Sequence, residues 1–388
     1  MNLGRYFVVS ALVGVVSASA AACAKGGDEG TAGTADAGAD TGGSFGNADA
    51  AKPCQPNEKN YDIPGNNCDD DGDGKIDNAE ESCDDALPVT GSAAEFSRAL
   101  GFCKAADGNR PGILSATFSN GFGLETPPAD GQHGVLTKFG AVVKPLEGKS
   151  LGVLSTGWAR EFDRENSTVG QFKGGEKMEL TRGAAPPGFP KQATGCGDAT
   201  GADVRDVVSF KVQLKAPANA QGLSFKLNFY SGEWPEFVCT RFNDGFVAMI
   251  TSMAVAGGSP TNVSFDSTNS VISVNNGFFD RCTPNTQTGC AGDPPVPKTA
   301  ECAAGTSELK GTGFGQPEGK YCGTNSAVAS PGGSTGWLRT IAPVIGGETV
   351  TLEFILWDTG DQAYDSSILL DDFRWEEDAP RIGTDRPR

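Results

Sequence analysis

Histidine is almost absent from this chain: His133 stands alone. Tetrahedral zinc sites draw on grouped His and Cys, so one histidine among scattered cysteines builds no zinc constellation. A Ser–His–Asp triad would have to pass through His133, which follows Asp130-Gly131-Gln132 and reads as a surface histidine on a loop. The string Gly332-Gly333-Ser334-Thr335-Gly336 has the G-x-S-x-G form, but it sits in a Gly-rich loop and not at a strand-to-helix elbow. Basic residues are also in short supply. The chain has 31 Lys and Arg against 49 Asp and Glu, a formal net charge of −18. Nucleic acid and anionic membrane surfaces both need clustered cations, so neither is expected as a partner. No phosphate-cradling loop is present, because GTGFGQPEG at 311–319 lacks both the spacing and the Lys. Helix-favouring runs are few, whereas Gly is abundant at 54 residues, a balance that favours strands and turns.

What the N-terminus holds is an address. Arg5 precedes an apolar run from Tyr6 to about Val16, then small residues up to Cys23. This is the layout of a secretory signal over 1–22, and the run is too short for a transmembrane helix. Ala20-Ala21-Ala22-Cys23 resembles a bacterial lipobox with Ala20 where Leu is usual. A lipidated Cys23 would hold the protein on a membrane without a spanning helix. The other reading is ordinary cleavage near Ala22, with Cys23 a spare thiol. Of the eleven cysteines, removing Cys23 leaves Cys54, Cys68, Cys83, Cys103, Cys196, Cys239, Cys282, Cys290, Cys302 and Cys322. An even set in a secreted chain reads as up to five disulfides whose connectivity stays open. Residues 23–51 are Gly, Ala, Thr and Asp with few large apolar side chains, and are expected to be a disordered tether.

An acidic module over 52–86 follows, containing NNCDDDGDGKIDNAEESC. Asp69, Asp71, Asp73, Lys75, Asp77 and Glu80 fall on the ligand positions of a twelve-residue calcium loop. Gly74 takes the sharp bend, Ile76 is the expected apolar plug, the Lys75 carbonyl points inward, Asp77 acts through water and Glu80 closes the shell. Pro64 and Gly65 exclude an entering helix. The loop therefore resembles the isolated Asp-rich calcium loops of secreted bacterial proteins and of thrombospondin type 3 repeats. A Cys68–Cys83 bond would pin it in place of the missing helices.

The large domain, 87–376, opens with helical spacing over Ala93–Cys103 and then turns to strands. Segments 112–118, 134–143, 150–156, 204–214, 223–229, 246–255, 263–274, 349–357 and 367–375 carry the strand pattern. Short strands with Gly and Pro punctuation predict an all-β, antiparallel, jelly-roll-like β-sandwich. Residues 280–330 form a Cys-rich loop long enough to need stapling, and 377–388 read as a tail.

Four stretches carry a family resemblance. They are Gly152-Val153-Leu154-Ser155-Thr156-Gly157, Phe229-Tyr230-Ser231-Gly232-Glu233-Trp234-Pro235-Glu236, Phe242-Asn243-Asp244-x-Phe246, and Asp358-Thr359-Gly360-Asp361-x-x-Tyr364-Asp365-Ser366-Ser367. In order and spacing they resemble the choice-of-anchor L domain, with departures at Gly232 and in the Cys-rich insertion. The resemblance implies a β-rich bacterial surface or secreted module whose members use varied anchors. The C-terminal EEDAPRIGTDRPR shows no sorting helix, which makes Cys23 the expected anchor.

Glu233, Glu236, Asn243 and Asp244 follow one strand, and Asp358, Asp361 and Asp365 follow another. Our sequence expectation is that the two acidic turns meet at the sandwich rim. Three readings stand open for them: a second calcium site, hydrogen-bonded turn caps, or glycosidase carboxylates pairing Glu233 or Glu236 with Asp361 or Asp365. The leading expectation is a non-enzymatic, lipid-anchored envelope protein that binds a glycan or surface protein with calcium as structural support. A carbohydrate-active hydrolase and a purely structural envelope component are the alternatives.

Overall fold

Side chains that alternate along each strand build two stacked sheets. The computed structural model describes residues 54–78, 82–162, 183–194, 196, 203–275, 277–289, 301–315, 332–360 and 364–387. The signal, the tether and Cys23 lie outside the described residues, as do Glu80, Asp361, Cys290 and Cys322. A short helix, α1 (Ala93–Ala99), precedes β1 (Gly112–Ser119), β2 (His133–Leu136), β3 (Leu151–Ser155), β4 (Val204–Lys215), β5 (Gly222–Ser231) and β6 (Gly245–Thr251). Then come β7 (Thr261–Asn262), β8 (Ile272–Ser273), β9 (Gly333–Ser334), β10 (Leu338–Pro343), β11 (Thr349–Thr359), β12 (Ser366–Glu376) and β13 (Gly383–Asp385). One sheet runs β1-β4-β11-β6-β7 with β8 also on β6; the other runs β13-β10-β5-β12-β3-β2 with β9 also on β5. The pairings are antiparallel. The protein is therefore the antiparallel β-sandwich the strand pattern predicted.

The inner faces meet in the main core. Phe210, Val212 and Leu214 of β4, Phe246 and Ile250 of β6, and Leu352, Phe354 and Leu356 of β11 face Leu223, Phe225, Leu227 and Phe229 of β5 and Ile368 and Leu370 of β12. Each fully buried side chain of this size contributes about 1.5–3 kcal/mol. The outer faces are apolar as well, and insertions cover them. Val153, Tyr230 and Leu369 pack under Leu309 and Phe314 of the 301–315 segment. Val247, Ile355 and Trp357 pack under Ala185 and Phe189 of the 183–194 segment. This double burial explains why β3 and β6 read as continuous apolar runs.

Several local expectations change in three dimensions. The helix ends at Ala99, four residues early, because Gly101 takes a left-handed φ of 97° that closes the turn. Its start carries a full capping box, with Ser92 and Glu95 exchanging hydrogen bonds. The predicted 134–143 strand stops at Leu136, and Phe139 and Val143 bridge around a tight turn into the outer core. The 263–274 strand reduces to short pieces, because Asp266 gathers the N–H groups of Thr268, Ser270 and Gly277 into a turn. The expected tail supplies β13, which pairs with β10. His133 is no surface-loop residue: it begins β2, half-buried, and stacks on Phe118 at 3.9 Å. Burial pushes its pKa down to about 4.

The disulfides also depart from expectation. Cys68 pairs with Cys54, Cys83 with Cys103, Cys196 with Cys239 and Cys282 with Cys302. The Cys68–Cys83 bond is thus excluded. Each end of the acidic loop is instead tied outward, Cys68 to the preceding segment and Cys83 to the chain after α1. The acidic module belongs to one compact unit with the sandwich, spanning Pro53–Arg388. Ala218 N–H donates to the Lys59 carbonyl (2.7 Å), and Tyr61 N–H donates to Asn219 Oδ1 (3.0 Å), whose own amide returns to the Tyr61 carbonyl (2.8 Å).

Candidate functional site

The acidic stretches become neighbours through topology. The segment after β5 carries the chain from the seven-stranded to the six-stranded sheet, and the segment after β11 carries it back. Ser231 at the end of β5 is the register partner of Ser366 at the start of β12. Gly245 at the start of β6 is the partner of Trp357 near the end of β11. Both crossovers therefore turn at the same end of the sandwich.

Asp244 is the link between them. Its Oδ1 accepts from the Thr359 N–H (3.2 Å) and its Oδ2 from the Ser366 hydroxyl (2.6 Å), so one carboxylate from the first crossover holds the second. Asp358 faces Asp244, carboxyl to carboxyl. It is 1 % exposed, and neither of its oxygens receives a donor from the described residues. Burial, then the charges of Asp244 and Glu233, raise its pKa well above the usual carboxylate range. Asp206 of β4 adds to the same field. Arg205, cross-strand from Asp358, sends its guanidinium to Asp203 (3.3 Å). Glu233, Asn243 and Asp244 are all buried. Glu236 and Asp365 are buried too. Asp365 lies against the turn after β3: its carbonyl accepts from Gly232 N–H (3.0 Å), and its carboxylate presses on Gly157, where an added Cβ would stand 2.0 Å from an Asp365 oxygen. The motif at 152–157 joins the rim through Thr156, whose hydroxyl accepts from the Ser366 N–H (2.9 Å).

No three carboxylates among the described residues at this rim come within 4.8 Å of one another. The aromatic rings are also turned inward. Trp234 is buried and stacks on Phe279 at 4.6 Å, and Tyr364 packs on Phe237 at 5.7 Å. Glu233, Glu236 and Asp365, which the glycosidase reading would pair, are all buried, and Asp361 lies outside the described residues. Ser334, the serine of the G-x-S-x-G string, is buried in β9 and donates to Asn228 Oδ1 (2.7 Å).

The acidic module holds a second cluster. Side-chain oxygens of Asp62, Asp69 and Asp71 lie within 4.8 Å of one another. Asp69 accepts from Asp73 N–H and Gly74 N–H (both 3.0 Å), and Asp71 accepts from Asp73 N–H (3.0 Å). Asp73 accepts from Lys75 N–H (2.8 Å), which holds its carboxyl below the usual range. Asp77 turns away to cap Asn66 N–H (3.0 Å) and Asn67 N–H (3.0 Å), and Ile76 is 63 % exposed, so it is not the expected apolar plug. Asp62 was not predicted. It stands ahead of the loop motif, and only folding brings its oxygens to the Asp70, Asp71 and Asn78 N–H groups.

A cavity of about 220 Å³ opens beside this cluster. Its walls include Tyr61, Phe102, Phe373 and Trp375, with Lys104 and Arg374 alongside; Asp62 and Asp71 form part of one wall. Lys104 reaches Asp71 at 3.3 Å. The helices among the described residues are too short to cross a membrane.

The family model described as the choice-of-anchor L domain matches residues 153–373, more than half of the chain. No curated protein and no solved structure matches.

Proposed function

The chain belongs to the choice-of-anchor L domain family, the mark of a surface-associated bacterial protein, and on that premise we propose that it is a lipid-anchored, non-enzymatic glycan-binding module braced by calcium. The observation that carries the binding reading is the aromatic-walled cavity between the acidic module and the sandwich. Sugar rings pair an apolar C–H face with a ring of hydroxyls. A concavity of Tyr61, Phe373 and Trp375 edged by Lys104, Arg374 and Asp71 offers a complement to both. Calcium at Asp62, Asp69 and Asp71 would fix the wall that Asp62 and Asp71 share with the cavity. Hard carboxylate oxygens in an Asp-rich loop favour that ion, and extracellular sites of this kind fill even at modest affinity. Cys23 would carry the lipid, and residues 24–51 would lift the domain from the bilayer.

The test is a glycan array probed with the full chain, with and without chelator. Wild type is expected to retain glycans in calcium and to lose at least tenfold in signal in chelator. Trp375→Ala should weaken binding by about 1–3 kcal/mol. Retention that Trp375→Ala leaves untouched would move the binding surface elsewhere.

A further inference from the structure

Opposite the rim, the sandwich ends in an apolar tip. Three turns lie side by side there, because β4, β11 and β6 are neighbours in one sheet. Residues 216–221 (APANAQ) leave β4, residues 252–260 (SMAVAGGSP) leave β6, and residues 344–348 (VIGGE) enter β11. In a chain of net charge −18, Glu348 is the single charged residue among them. Its carboxylate is spent on tying two of the turns together. One oxygen accepts from the Ser252 hydroxyl (2.6 Å) and the Ile345 N–H (2.8 Å), and the other from the Met253 N–H (2.9 Å). The third turn joins them where Gly347 N–H donates to the Pro217 carbonyl (3.1 Å). What this arrangement presents outward is apolar: Met253 is 62 % exposed and Ile345 51 %. Ala218, Ala254 and Ala256 are exposed on the same turns. Single exposed apolar side chains are ordinary on a surface, but here one carboxylate sets two large ones together on turns without competing charge. The acidic module, which heads the described chain, is fastened to this end as well, through the Lys59 carbonyl and Ala218 N–H (2.7 Å).

We propose that this tip docks on a zwitterionic lipid surface, with Met253 and Ile345 entering the boundary between headgroups and acyl chains. The inference rests on the lipid-anchor reading for the tether that delivers the tip. On that reading, the chain from Ala24 to Pro53 spans about 30 Å as a flexible coil. It joins the fold through the module fastened to the tip's own end, so this end meets the bilayer first. Apolar side chains on uncharged turns enter the interface without the cost of stripping water from a charge. Glu377 and Asp378, exposed just beyond β12, belong to the other sheet and disfavour an anionic surface, which is why the lipid is zwitterionic. Docking would turn the domain with its rim away from the membrane. The inference depends neither on the glycan cavity nor on calcium.

The test holds the mature chain on phosphatidylcholine vesicles by a histidine tag in place of Cys23, bound to a small fraction of nickel-chelating lipid. An environment-sensitive fluorophore is attached at Met253→Cys, at Ile345→Cys and, as a control, at Asp203→Cys, which is exposed at the rim end of β4. On the vesicles, the labels at 253 and 345 should shift their emission to the blue and lose it to nitroxide-bearing lipid, and the label at 203 should do neither. A second readout needs no label: oxidation of Met253 by aqueous peroxide, followed by peptide mass, should slow severalfold on vesicles relative to the free chain. Labels at 253 and 345 that stay in water on the vesicle-bound chain overturn the proposal, as does an unchanged rate of Met253 oxidation. A blue shift that needs no vesicles and grows with protein concentration gives the tip to a second copy of the chain and overturns it too. Because the tag replaces the lipid, failure here leaves the Cys23 anchor to its own fractionation test, and failure of that anchor leaves the docking result intact.

Discussion

Stacked on Phe118 and half-buried, His133 is neutral in the folded protein because burial, then the nearby Arg160 charge, hold its pKa at about 4 against an ordinary 6.5. A lowered histidine pKa contributes stability that is complete above the unfolded value of 6.5 and is lost as pH falls through 4. Asp371 acts in the opposite sense. Burial raises its pKa to about 7, so its contribution is complete below 3.8 and disappears as pH rises through 7. The two slopes oppose one another between pH 4 and 6.5. Replacing His133 by Phe preserves a ring on Phe118 and removes one slope. Urea unfolding from pH 6.5 down to 4 should then show a loss of stability smaller than wild type by up to about 3 kcal/mol, reduced by whatever screening its partial exposure allows. An unchanged pH profile would show that His133 does not titrate with folding. At the same scale, Asp358 shows how far a residue's chemistry depends on its neighbours. In the sequence it is one of 49 acids; in the fold it is buried against Asp244, and its carboxyl is held well above the usual range by burial and by the charges of Asp244 and Glu233.

At the scale of elements, the strongest strands were legible. The segments 204–214, 223–229, 349–357 and 367–375 each appear within three residues of their predicted ends. Their alternation is strong, and the paired sheet rewards the same faces that the pattern marks. The failures have identifiable causes. β10 was missed because L-R-T-I-A-P ends in Pro343 and sits among Gly residues; it is held by pairing to both β5 and β13. The acidic loop was legible as a motif, yet Asp77 and Ile76 occupy other roles, and Asp62 joined from outside. This gives an element-level prediction. Asp62→Asn removes a carboxylate from the cluster while leaving an oxygen for the Asp70 and Asp71 N–H groups. Wild type should gain a higher thermal midpoint in millimolar calcium relative to chelator, and Asp62→Asn should lose at least half of that gain. Scanning calorimetry reads the difference, and an undiminished shift would remove Asp62 from the site.

For the whole molecule, burial of both sheet faces is the organising fact. The Cys-rich stretch read as a stapled loop; of its described parts, 301–315 is a cover for β2, β3 and the end of β5, with Leu309 and Phe314 as its wedges. The 183–194 segment covers the other sheet in the same way. On the proposed reading, what holds the sandwich at the surface is a lipid on Cys23. The whole-molecule prediction follows from the arithmetic of the cysteines. Cys23→Ser should move the protein from the membrane fraction to the soluble fraction and abolish incorporation of a radiolabelled fatty acid. Fractionation that is unchanged by Cys23→Ser would rule out the lipid anchor.

Sequence alone determined the fold class, the strongest strands, the secretory address as an expectation, and the four motifs that mark the family. These depend on local pattern: alternation, turn residues and spacing are properties of contiguous chain. Tertiary structure decided the rest. It paired Cys68 with Cys54 and Cys83 with Cys103, drew Asp62 to Asp69 and Asp71, and buried His133. It also set Asp358 against Asp244 across more than a hundred residues of chain. Such juxtapositions depend on which strands become neighbours in the sheets, and the β5–β12 and β6–β11 registers that align the two crossovers arise only when distant segments bury their apolar faces against each other.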